Sequence, residues 1–313
     1  MPVYKVVADK AKQLKVTDFK NEKALQSFVE KNLEEIFNCR FVASEFHTGA
    51  QHSGRIDTLA LSEDNNPVII EYKIVESSEL VNQSLFYMSW IKDHKGDYQI
   101  AVEKTLGKKV EIDWGDIRVI CIAPGYKRYD LHAVKMIGAN VELWEYKLLE
   151  DGVFVLEEVF RKTSALTDVV KAVKNGKNPV MVAAGKKAAQ SRLTGEYSFE
   201  EHLKGAGAKT GGLLKKLREY IMEISDSIEE APKKYYVAYK TTKNFVCLEA
   251  RKKKLYMYLR LNPKDLKQLP ANARDVREIG HFGTGDLEYT VREEADIEEA
   301  KKFIMLAYKN SGG

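Results

Sequence analysis

The sequence predicts an α/β domain followed by an α+β domain, and three observations carry that prediction. The chain has 313 residues, more than the roughly 100–200 of an ordinary domain. Its first half reads, in order, as helix, three strands, helix and strand (αβββαβ). Between about 163 and 197 the composition turns to Lys, Ala, Gly and Ser with few large apolar residues, which cannot bury a core and marks a linker. The expected organisation is therefore 1–162, a linker over 163–197, and 198–313.

The elements follow from periodicity and punctuation. Asn21 caps a predicted helix over Glu22–Phe37, with Leu25, Phe28, Val29, Leu33, Ile36 and Phe37 at helical spacing. Arg40–His47, Gly54–Ser62 and Pro67–Ile74 read as strands, and Glu63-Asp64-Asn65-Asn66-Pro67 turns the last two into a hairpin. Ser78 starts a helix to His94, whose Tyr87, Met88 and Trp90 read as core packing. Ile117–Ala123 is almost uniformly apolar, as a fully buried strand would be. A helix over Tyr129–Gly138 ends on a glycine cap, and Val141–Lys147 and Gly152–Phe160 form a further hairpin. Inside the linker only Leu166–Lys174 has helical character. In the second domain Ser198 starts a helix, a second runs over Gly212–Ile228, and strands follow at Tyr235–Lys240, Phe245–Arg251, Leu255–Leu261 and Glu288–Val291. Ile297–Tyr308 closes the chain as a helix.

Composition excludes several classes. Charged residues make up 31%, and no apolar run approaches the roughly 20 residues of a membrane helix. The N-terminal stretch lacks the apolar segment of a secretory signal, so the expected compartment is the cytoplasm and no membrane partner is expected. The three cysteines, Cys39, Cys121 and Cys247, are far apart and form no CxxC pair, against a disulfide framework or a structural zinc. A net charge of +4 permits nucleic-acid binding without announcing it, so any such function rests on a local site.

The chemistry concentrates in two strands. An unpaired charge is costly in a buried strand, yet Asp57, Glu71 and Lys73 sit within strongly apolar stretches. Glu71 and Lys73 are two apart and share a face. If the turn centres between 64 and 65, Asp57 pairs near Tyr72, and half a residue of shift puts it opposite Glu71 or Lys73. Two carboxylates offer hard oxygen ligands to Mg²⁺ or Mn²⁺, with the Tyr72 carbonyl as a further ligand. Lys73 suits the positioning of a water or the stabilisation of developing charge. The bland alternative is a salt-bridge cluster at a sheet edge.

These residues resemble the PD-(D/E)XK nuclease superfamily, with its restriction-endonuclease-like αβββαβ core, and more specifically NucS-like predicted endonucleases. The likeness rests on Gly54-Arg55-Ile56-Asp57 and Ile70-Glu71-Tyr72-Lys73 and covers about the first half of the chain. Ile56 stands where the family's proline would be. The resemblance implies metal ligation by Asp57 and Glu71, a catalytic Lys73, and a glutamine matched by Gln83 on the following helix. It also implies an acidic residue from the first helix, for which Glu22 and Glu30 are both candidates that the sequence does not separate. It makes DNA the expected partner and Mg²⁺ or Mn²⁺ the expected cofactor, and a homodimer is compatible with it. The second domain resembles an uncharacterised domain found at the C-terminus of such proteins, through Tyr197–Leu203, Lys243–Val246 and Gly280–Glu288.

The implied function is a metal-dependent DNA endonuclease. The rival is a non-catalytic nucleic-acid-binding or protein-interaction module on the same fold. Arg55, His47 and His52 flank the site, in a loop that either approaches a nucleic-acid backbone or merely turns. Lys233–Lys240 and Arg251–Lys254 interleave basic and aromatic residues, as a nucleic-acid surface would and as a half-buried sheet with a basic turn also would.

Overall fold

The computed structural model describes residues 2–49, 54–76, 79–106, 110–136, 139–162, 197–266 and 268–312. The chain folds as two compact units, 1–183 and 184–313. The linker with its predicted short helix lies, Tyr197 apart, outside the described residues, as do His52, Ser78 and Gly138.

The first unit opens with a hairpin of β1 (Tyr4–Val7) and β2 (Lys10–Gln13), then β3 (Val16–Thr17). The predicted first helix is broken into α1 (Glu22–Lys31) and α2 (Leu33–Phe37). Asn21 Oδ1 accepts from the Ala24 amide at 2.8 Å and caps α1 as expected. At the break, Asn32 leaves helical geometry, and its side-chain amide donates to the Phe28 carbonyl at 2.7 Å. Then come β4 (Cys39–His47), β5 (Arg55–Ser62), β6 (Pro67–Tyr72), α3 (Glu79–Asp93), α4 (Lys95–Leu106), β7 (Arg118–Ala123), α5 (Arg128–Met136), β8 (Val141–Leu149) and β9 (Val153–Lys162). The predicted αβββαβ order is present, with α4 and the N-terminal hairpin as additions.

Seven strands form one mixed sheet in the order β3-β8-β7-β6-β5-β4, with β9 on β8. β5 pairs antiparallel with β6, whereas β6, β7 and β8 run parallel. Strand alternation sends Ala60, Val68, Ile70 and Ile122 against Leu25 and Val29 of α1, in a core between α1–α2 and one sheet face. Leu59, Leu61, Ile69 and Val119 pack on the other face with Leu80, Ile91 and Tyr98 of α3 and α4. Between these layers Arg118 and Glu142 form a buried ion pair at 2.6 Å.

In the second unit come α6 (Phe199–Gly205), α7 (Ala208–Ile224), β10 (Glu229–Pro232), β11 (Val237–Lys240), β12 (Asn244–Ala250), β13 (Leu255–Leu259), β14 (Ala273–Asp275), β15 (Leu287–Val291) and α8 (Ile297–Asn310). The strands make an antiparallel sheet ordered β10-β11-β12-β13-β15-β14. Its helix-facing side buries Leu214, Leu217, Ile221, Leu248, Met257 and Ile304 in one core. Ser198 and Glu201 form a capping box at the start of α6. α7 starts at Ala208, ahead of the predicted Gly212, so Gly211 and Gly212 lie inside it. Among the described residues no helix is long and apolar enough to cross a membrane.

Candidate active site

The β5–β6 turn sets the site's register. The Asn65 amide donates to the Ser62 carbonyl at 3.0 Å, and Asn65 itself takes a left-handed backbone with φ of 63°. A turn followed by one left-handed residue is a common three-residue hairpin loop. It pairs Ser62 with Asn66, Thr58 with Ile70 and Leu59 with Ile69. Continued one step, that register sets Asp57 opposite Glu71, half a residue from a turn centred between 64 and 65. In the parallel pairing with β7, Cys121 lies on the other side of Glu71.

The two acids are tied crosswise. The Asp57 amide donates to Glu71 Oε1 at 3.0 Å, and the Tyr72 amide donates to Asp57 Oδ2 at 3.2 Å. Glu71 is fully buried, and its Oε2 has no hydrogen-bond partner. Burial pushes the Glu71 carboxyl well above the usual range, and the nearby Asp57 charge adds to the rise. Asp57 is also raised, chiefly by burial, against the lowering influence of the Tyr72 amide and of Lys73.

Asp57 and Lys73 line an open cleft of about 680 Å³, with Glu22, Arg55, Gln83 and Tyr87 around them. His47, Gly49 and Gly54 complete its wall. Lys73 Nζ lies 3.2 Å from Glu22 Oε1. Gln83 Nε2 donates to the Tyr87 hydroxyl at 3.0 Å, and the Arg55 amide donates to the same oxygen at 3.2 Å. Gly54 is required by this packing: a Cβ there would meet Tyr87 Cε1 at 2.7 Å.

Of the two first-helix candidates, Glu22 stands at the cleft and Glu30 stands behind it. Glu30 Oε1 accepts from Thr58 Oγ1 at 2.7 Å and from Gln26 Nε2 at 3.0 Å. Thr58 points to the opposite sheet face from Asp57, where the buried Tyr72 hydroxyl lies 3.2 Å from it. Tyr72 thus contributes its backbone to the Asp57 side and its ring to the α1 side.

Two residues near the site carried no functional expectation. Gln26, on the buried face of α1, donates to the Asp57 carbonyl at 2.6 Å and to Ser44 Oγ at 3.1 Å. Its signal was the four-residue spacing of Glu22, Gln26 and Glu30, which lines polar groups along one helix face. Tyr87 packs its ring in the core as expected, yet its hydroxyl reaches the cleft. Across the strand edge, Glu45 takes φ of 52° and binds Arg55 at 2.5 Å and Lys23 at 3.0 Å, so the Arg55 side chain is engaged.

The donor set fits a hard divalent cation through one specific feature. Glu71 Oε2 is an orphaned buried oxygen beside a second carboxylate, and unpaired buried polar atoms are costly. Among the described residues no group of three or more His, Cys, Asp or Glu side chains is arranged to hold a metal. Mg²⁺ does not need one, since it commonly binds one or two carboxylates and keeps several waters.

Comparison with known proteins gives a partial placement. Residues 199–311 match the model of a family described as a domain of unknown function, DUF5655. An uncharacterized protein of Haemophilus influenzae is 27% identical over 302 residues, covering 95% of this chain and 96% of its own. Among solved structures, an EndoMS–double-stranded DNA complex overlaps 42% of this chain and 47% of its own at 18% identity, with a TM-score of 0.30. A repair endonuclease from Pyrococcus abyssi overlaps 41% of this chain and 49% of its own at 15% identity and a TM-score of 0.23. EndoMS in its apo form overlaps 46% of this chain and 64% of its own at 12% identity and a TM-score of 0.29. Overlaps of that extent leave the chemistry to the residues of the cleft.

Proposed function

We propose that the first unit is a metal-dependent deoxyribonuclease that hydrolyses phosphodiester bonds in DNA. The observation that carries this reading is the orphaned Oε2 of the fully buried Glu71, whose Oε1 is tied to Asp57, with Asp57 and Lys73, but not Glu71 itself, lining the cleft. Asp57 and Glu71, with the Tyr72 carbonyl, would hold Mg²⁺ or Mn²⁺. When bound, such an ion supplies Lewis acidity toward a water and a phosphoryl oxygen.

The remaining work falls to the chain's own groups. Lys73 holds the attacking water in line and stabilises charge that develops on the phosphate. Glu22, 3.2 Å from Lys73 Nζ, keeps that ammonium aimed along the cleft. Gln83 and Tyr87 present an amide and a hydroxyl to the substrate backbone from one wall. The raised carboxyls of Asp57 and Glu71 follow from the same arrangement, because burial, complete for Glu71 and partial for Asp57, disfavours their charged forms and the Asp57 charge adds to the rise at Glu71. A divalent cation held by Asp57 and Glu71 would offset that penalty. The protein would act in the cytoplasm.

The test is cleavage of single-stranded, branched and mismatched DNA by the purified full chain, with Mg²⁺ or Mn²⁺ and with chelator. Cutting that needs the metal supports the reading. Salt-sensitive binding that ignores the metal and is never followed by cutting replaces it with a binding module.

A further inference from the structure

The second unit carries an aromatic and cationic surface that neither its core nor the cleft uses. Tyr235 and Phe282 come from segments far apart in sequence, yet their rings stack at 4.1 Å between centroids, tilted by 26°. Both remain exposed, at 43% and 49%. Large exposed aromatics stacked on one another are unusual, because each could lower its free energy by burial. Cations flank the pair. Lys234 Nζ lies 5.0 Å from the Tyr235 ring centroid, and the Arg251 guanidinium lies 6.0 Å from that of Phe282. Next to Phe282, His281 stacks on Tyr258 at 4.6 Å.

The platform is held rigidly. His202 Nε2 lies 2.7 Å from the Lys233 carbonyl, and the Lys233 amide donates to the Tyr236 carbonyl at 2.7 Å. The turn from Arg251 to Lys254 closes by an amide-to-carbonyl bond of 3.0 Å. Gly207, at the start of α7, packs so closely on the Lys252 carbonyl that a Cβ would lie 2.2 Å from it. Lys252 and Lys253 project from this turn as exposed cations. Glu249, the carboxylate next to the turn, is buried and already paired with Arg251.

From this arrangement we infer that this face binds single-stranded DNA, one base stacking on the Phe282–Tyr235 pair while Lys252 and Lys253 meet the flanking phosphates. Charge complementarity selects the occupant: fixed π-faces beside exposed ammonium groups match alternating bases and phosphates. A duplex keeps its bases inside and offers no face to the rings. The inference is independent of the cleft's chemistry.

The experiment uses the full chain in chelator, so that nothing is cut, with a labelled oligothymidine strand of about 20 nucleotides. Fluorescence anisotropy gives the affinity, and a bromodeoxyuridine strand locates the binding face by photocrosslinking and mass spectrometry. Phe282→Ala should weaken binding about 5- to 100-fold, Phe282→Tyr should keep it, and neither should shift thermal unfolding. Lys252→Glu with Lys253→Glu should flatten the salt dependence by about 0.7 in slope for each phosphate that is no longer neutralised. Crosslinks should fall on Tyr235 or Phe282. Wild-type affinity in Phe282→Ala, crosslinks confined to other residues, or a duplex bound as well as the single strand would each overturn the proposal.

Discussion

Asp57 donates its backbone amide to Glu71 Oε1 at 3.0 Å, leaving Glu71 Oε2 buried with no donor of its own. One oxygen of the deeper acid is thus fixed by the neighbouring strand and the other is uncommitted. A hydrophobic strand tolerates such an atom only if it is protonated or meets a cation.

The first prediction concerns pH and metal together. Because burial raises the Glu71 carboxyl well above its ordinary range, at pH values between the unfolded and folded ones the folded state holds a proton that the unfolded state has released. Stability conferred by that difference is complete below the unfolded carboxylate range and is lost as pH rises through the folded value. Metal-free protein should therefore lose thermal stability on going from acid toward neutral pH. Mg²⁺ should restore it, more strongly as pH rises. Glu71→Gln should weaken both effects, leaving the smaller part that Asp57 contributes, as differential scanning fluorimetry across pH would show.

Glu22 and Glu30 should separate by phenotype. Glu22→Ala breaks an ion pair at the cleft, so cutting should fall at least about tenfold while stability changes by less than about 1 kcal/mol. Glu30→Ala strips acceptors from Thr58 and Gln26 and should cost about 1–3 kcal/mol. Urea unfolding beside a nicking assay reads both quantities.

Gly54→Ala should damage the cleft from within. The new Cβ would sit 2.7 Å from Tyr87 Cε1 and 3.0 Å from Thr48 Oγ1. The Tyr87 ring is buried and its hydroxyl accepts two hydrogen bonds, so it has little room to move. A loss of about 1–3 kcal/mol is expected, measured as a lower urea midpoint with unchanged slope.

Glu142→Gln should be the most destabilising of these changes. Burial alone would raise the Glu142 carboxyl, but Arg118 and Arg161 outweigh it and hold it down to about 2. Removing the charge leaves Arg118 buried without its counter-ion, at about 3–5 kcal/mol. Chemical denaturation checks it, and the wild type should hold this contribution in full above the ordinary carboxylate range and lose it progressively as pH falls from there through about 2.

How far the sequence reached depended on whether an element carried a periodic signal. β5, β6 and β7 are mostly apolar, and their bounds fell within a residue or two of expectation. The break at Asn32 was invisible because Val29, Leu33 and Phe37 keep their helical spacing across it. α4 was missed because only Tyr98 and Val102 of its residues are buried. The N-terminal hairpin was missed because its strands are exposed throughout and turn at Ala8 and Asp9 rather than at glycine. In the site, strand parity put Glu71 and Lys73 on one face, but the choice between Glu22 and Glu30 depended on which side of the sheet each carboxylate meets. No local pattern reports that.

The most direct test is single-turnover cleavage of a DNA panel by the wild type and by Lys73→Ala, each with Mg²⁺ or Mn²⁺. The wild type should cut at least one substrate. Lys73→Ala should be slower by about 100-fold or more with its thermal midpoint nearly unchanged, because the pair it breaks is partly exposed. Equal rates in the two proteins, or no cutting of any substrate by the wild type, would contradict the account.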